Sequence, residues 1–123
     1  MIGKHIKSAC AAACLALSLV GWTSANAEFV VVTGHHWQNS TEQQKKAFLL
    51  GAATIIELEK ELQGSNPPED HQSAVPALVR GLSPFTLTEV MMQLDDYYAS
   101  NPDKQSEPVI RVIYFELATA GAK

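Results

Sequence analysis

Two adjacent histidines, His35 and His36, are the first residues whose type could do chemistry. With His71 or Asp70 added, they would make a metal-ligand set. Zinc needs three or four such ligands in fixed geometry. Neighbours in an extended segment point to opposite faces, so one ion rarely takes both. No histidine pair at helical i, i+4 spacing is present, and both cysteines, Cys10 and Cys14, lie near the start of the chain. No metal and no other cofactor is therefore expected. Asp95 and Asp96 could act as an acid/base pair, but helix neighbours point about 100° apart, and both read as members of a solvated helix face. Glu57, Glu59 and Glu61 read the same way, with Lys60 neutralising part of that cluster. Nucleophile, phosphate-loop and H-E-x-x-H motifs are absent. Ser40, Ser73 and Thr86 fit helix caps better than nucleophiles. No enzymatic activity is expected.

Aromatic side chains offer recognition instead of reaction. Trp37, Tyr97 and Tyr98, with His35 and His36 beside the tryptophan, form the candidate partner-binding set, because aromatics are enriched at protein interfaces. The plainer reading puts Tyr97 and Tyr98 at the base of a core with their hydroxyls wet, and Trp37 over the start of a helix.

The elements that position these residues are helical. Residues 1–27 read as a secretory signal peptide: Lys4 and Lys7, an apolar run over 9–20, then Ala25-Asn26-Ala27 as the cleavage site. Export to the periplasm is the expectation. Cleavage removes both cysteines and two of nine basic residues, leaving seven against 13 acidic ones. That acidity argues against nucleic acid and anionic lipid as partners. A basic protein partner and a homo-oligomer both remain compatible with it. Residues 28–123 suffice for one domain with a core, and no later stretch could span a membrane.

Residues 28–34 are expected as a short extended arm, with His35-His36-Trp37 next, just before a helix. Ser40 and Gln43 predict a capping box for a helix over 41–63, with Ala47, Phe48, Gly51, Ile55, Leu58 and Leu62 as its main stripe. Leu49, Leu50 and Ile56 lie off it, which predicts cover on more than one side. Gly64 and two prolines end this helix. A short helix follows over 74–80. Thr86 and Glu89 cap the clearest amphipathic helix, 87–99, whose stripe is Leu87, Val90, Met91, Leu94, Tyr97 and Tyr98. Pro108 opens a last helix over 108–119, apolar nearly all round and expected at the centre of the bundle. Its β-branched composition leaves a strand as the alternative. The prediction is all-α: a small four-helix domain after a signal peptide, with a short extended N-terminal arm.

The order of these features carries a resemblance. Trp37 precedes a lysine-bearing helix with an FLLGA segment at 48–52. A short helix and Leu82 follow, then a capped helix ending in Asp96-Tyr97-Tyr98, then Asn101-Pro102-Asp103 and Pro108-Val109. Over roughly 37–117 the layout resembles small exported bacterial helical proteins, similar to the immunity proteins that guard against type VI secretion amidase effectors. The resemblance implies a helical fold and inhibition of a secreted hydrolase through protein binding, and it carries over no individual functional residue. Two other functions fit the composition: an acid-stress holdase, through its carboxylates and histidines, and a small-ligand or metal carrier.

Overall fold

The computed structural model describes residues 31–122. The expected signal peptide at 1–27, both cysteines and residues 28–30 of the expected arm lie outside them. The fold is all-α, with five helices among the described residues: α1 (Gly34–Gln38), α2 (Glu42–Gln63), α3 (Val75–Leu82), α4 (Leu87–Ser100) and α5, which begins as Val109–Val112 and widens into a π-helical turn over Ile113–Ala118. No helix among the described residues is long and apolar enough to cross a membrane.

The four expected helices are present, and α1 is an addition. Of the expected arm, 31–33 is extended within the described residues; Gly34 already belongs to α1, together with the two histidines that follow it. The strand-like composition of this segment is used once, in an isolated antiparallel bridge between Thr33 and Pro108. Val109 N–H donates to the Val32 carbonyl at 2.8 Å, and Gly34 N–H donates to the Glu107 carbonyl at 3.1 Å. The turn before α5 thus satisfies backbone groups that a lone strand would leave open.

Helix α4 organises the core. Thr86 Oγ1 accepts from Glu89 N–H at 3.2 Å, and Glu89 Oε2 accepts from Thr86 N–H at 2.7 Å, so two orphan donors are closed reciprocally. Val90, Met91, Leu94 and Tyr98 are buried, as the stripe predicts, while Leu87 and Tyr97 are half-buried. At the other end Asn101 Nδ2 donates to the Tyr97 carbonyl at 2.7 Å and Gln105 Nε2 to the Tyr98 carbonyl at 2.9 Å. These side chains occupy acceptors the helix leaves unpaired. Trp37, Leu49, Leu78, Val109, Val112 and Ile113 complete the buried cluster.

Two expectations about caps and burial are corrected. Helix α2 is capped one residue later than expected: Thr41 Oγ1 accepts from Gln44 N–H at 3.2 Å, and Gln44 Oε1 accepts from Thr41 N–H at 2.8 Å. Ser40 instead turns its hydroxyl to the His36 carbonyl, at 2.7 Å, because α1 ends beside it with carbonyls to satisfy. Helix α5 is not buried all round. Val109, Val112 and Ile113 face the core, but Ile110 and Phe115 are 44% and 41% exposed, because a single layer of helices covers only one of its sides.

Helix α3 meets α5 at its last turn. Gly81 lies against the Ala118 backbone so closely that a Cβ would collide with it. The wide turn of α5 closes there with Thr119 N–H and Oγ1 both donating to the Tyr114 carbonyl, at 3.0 and 2.9 Å.

Candidate functional site

Each residue with chemical potential has a defined place. His36 Nδ1 accepts from Thr33 N–H at 3.1 Å, as a side-chain cap on the first turn of α1. His35 is exposed beside it, with ring centroids 6.3 Å apart. His71 pairs with Glu69 at 3.2 Å, and Arg80 Nη2 reaches both carboxylate oxygens of Asp70, at 2.9 and 2.6 Å. The His36, His71 and Asp70 side chains of the conceivable metal set are thus each engaged with a different partner. Among the described residues, no three His, Cys, Asp or Glu side chains converge.

Asp95 keeps part of its side chain in solvent, as the sequence reading has it, but it also ties helices together. Its Oδ1 accepts from Trp37 Nε1 and from Lys45 Nζ, each at 2.8 Å. The Lys45 ammonium also sits 5.5 Å from the Trp37 ring centroid, a cation–π distance. Phe48 meets that ring edge-on, with centroids 6.2 Å apart. One carboxylate oxygen therefore ties α1 and α2 to α4. Asp96 is exposed, one helical step round.

Trp37 is 1% exposed and Tyr98 0%, so both belong to the interior. Tyr98 Oη donates to the Glu107 carbonyl at 3.0 Å; its hydroxyl is inside and satisfied, not wet. Burial, with smaller contributions from Tyr97 and Glu107, pushes this phenol up to about 12. Tyr97 Oη donates to Glu107 Oε2 at 3.1 Å, and burial followed by this bond raises its pKa too. The partner-binding set thus divides: His35 and His36 are on the surface, Tyr97 shows part of its ring, and Trp37 and Tyr98 offer a partner no area.

The largest change from the sequence reading is on α2. Apart from Phe48, which is half-buried against Trp37, its expected main stripe faces outward: Ile55, Leu58 and Leu62 are 66%, 52% and 74% exposed, and Leu50, off the stripe, is 61% exposed. The side turned to the core carries Lys45, Leu49, Ala52, Ile56 and Gln63, of which only Leu49 is fully buried. Polar contacts at both ends fix that choice. Lys45 reaches Asp95 at 2.8 Å, and Gln63 Nε2 donates to Ser73 Oγ at 3.0 Å. These two positions lie 18 residues apart, a whole number of turns at 3.6 residues per turn, so they share one face. Turning the greasier stripe inward would break both contacts. The exposed face has no charged side chain along 47, 51, 55, 58 and 62, and nothing lies near the position a Gly51 Cβ would take. Hydrophobicity alone selects the richer of two apolar stripes; the signal for the other was the placement of Lys45 and Gln63, which needs their partners to be known.

No family model, no curated protein and no solved structure matches the chain.

Proposed function

We propose that the chain is an exported, non-enzymatic protein-binding module that presents the outer face of α2 to a protein partner, with inhibition of a secreted hydrolase as its sharpest form. The observation that carries this reading is the charge-free row of Ile55, Leu58 and Leu62, continued by Ala47 and Gly51, exposed on one long helix. Contiguous apolar area of this kind on a soluble domain marks an interaction surface. An amphipathic helix offers its i, i+3, i+4 anchors to a groove without any reactive group. Steric blockade of a hydrolase needs only such complementarity. The exposed carboxylates of Glu57 and Glu61 border Leu58, so polar contacts can flank the apolar row.

A photo-crosslinking residue placed at position 58 of the full-length chain, in its own cells, tests the reading. The expected result is one adduct with a second protein, lost when Leu62→Lys is added and not formed from position 96 on α4. If the partner is a hydrolase, one equivalent of this chain should inhibit it. Recovery of no adduct, or of equal adducts from positions 58 and 96, would refute the surface.

A further inference from the structure

A cavity of about 340 Å³ lies on the inner flank of α2. Leu49, Ala52, Ile56, Leu78, Val90 and Ile113, from four helices, make its wall. Phe85, 39% exposed, stands at its rim. The polar side chains that line it are Glu57, Lys60 and Ser83, all of them exposed, so they stand at the mouth and not in the depth. The cavity continues past Ala52, Ile56 and Ile110 into a shallow apolar trough along Phe48, Gly51 and Ile55.

From this arrangement we infer a binding site for a neutral aliphatic chain of about eight to ten carbons ending in a hydroxyl or an amide. Three features select that occupant. The wall offers no side-chain hydrogen-bond partner, so a ligand with polar atoms along its body would lose their hydration without replacement. A water-sized group takes roughly 30 Å³, so a cavity of this size, open at its mouth, holds about ten such groups, and the run-on into the trough favours an elongated shape. At the mouth, Lys60 and Glu57 are paired at 3.3 Å and Ser83 Oγ donates to the Arg80 carbonyl at 3.1 Å. A head that can both donate and accept adds to this set without breaking the pair. A carboxylate head would compete with Glu57 for Lys60, and an ammonium head would compete with Lys60 for Glu57. The inference does not rest on the protein-binding reading: the cavity wall of Leu49, Ala52, Leu78, Val90 and Ile113 is not on the outer face, and the measurement is different.

Titration calorimetry of the full-length chain with 1-alkanols decides it. One saturable site is expected for 1-octanol. Affinity should rise about fourfold per added CH2 from hexanol to decanol, as ~0.8 kcal/mol of burial gives, and then level off once the cavity is full. Octanoate and octylammonium should bind several-fold more weakly than 1-octanol. Ala52→Leu, which fills the wall, should remove binding while the helical circular dichroism is kept. Ala53→Leu, at an exposed lining position, should weaken it if Ala52→Leu does not fold. The site is overturned by no saturable heat with 1-octanol, by affinity that climbs without levelling beyond decanol, by a charged head binding as well as the alcohol, or by folded cavity-filling variants that bind like the parent.

Discussion

Gly34 and Gly51 show how differently one residue type is used. At Gly34 an added Cβ would run into the Tyr98 ring, which is itself fully buried. At Gly51 it would meet nothing within 4 Å. Gly34→Ala should therefore cost about 1–3 kcal/mol, the range for overpacking a core. Gly51→Ala should stabilise the protein by up to ~1 kcal/mol through helix propensity, and urea midpoints of the two variants read both signs. Tyr98 makes a second prediction at this scale. Its phenol ionises near 10.0 when free and at about 12 in the folded chain. Below pH 10 both states keep the proton and its contribution is whole. Between about 10 and 12 only the folded state keeps it, so stability falls as pH rises through that window. Tyr98→Phe should flatten that fall. It should cost only about 1 kcal/mol near neutrality, because Gly34 N–H still donates to the Glu107 carbonyl. Denaturant melts across that pH range, for parent and variant, provide the check.

Helix ends are decided by which neighbouring carbonyls and N–H groups are already engaged. Ser40–Gln43 and Thr41–Gln44 have the same spacing, and either could close a capping box. The short α1 resolves the tie, since its last carbonyls claim the Ser40 hydroxyl and leave Thr41 to start α2. Thr41→Ala should then cost about 1 kcal/mol, as cap removal does, and Ser40→Ala clearly less, measured by thermal or urea unfolding. Thr86–Glu89 had no such competitor in the sequence, and that cap stands where the spacing puts it. Helix α1 itself was hidden. At five residues, GHHWQ has glycine, two histidines and no apolar period, and it is held by the Trp37–Asp95 bond and by backbone pairing with 105–109. Partners that distant in sequence leave no local trace.

At the scale of the molecule, the chain packs one face of its longest helix and leaves the greasier one open. This has a consequence for stability that separates it from the sequence expectation. Leu62→Lys, on the outer face, should change unfolding free energy by no more than about 0.5 kcal/mol, as surface substitutions do. Leu49→Ala, on the inner face, should cost about 2–5 kcal/mol. Equal costs for the two would mean that α2 is turned differently in solution. The outer row is also where a partner would gain most from burial, so the variant that spares the fold is the one that should abolish binding.

The sequence by itself determined the helical class, the positions of four helices and the core stripe of α4. Those follow from local signals: a period of 3.6, a Thr-x-x-Glu box, and proline and glycine at the breaks. Tertiary structure alone decided which side of α2 faces inward, that Asp95 is a tie between helices, that Trp37 is interior, and that the Tyr98 hydroxyl is bonded inside. The reason is that a helix carries its hydrophobic period wherever it is turned. Its rotation is set by a few polar contacts with residues remote in the chain, here Lys45 with Asp95 and Gln63 with Ser73.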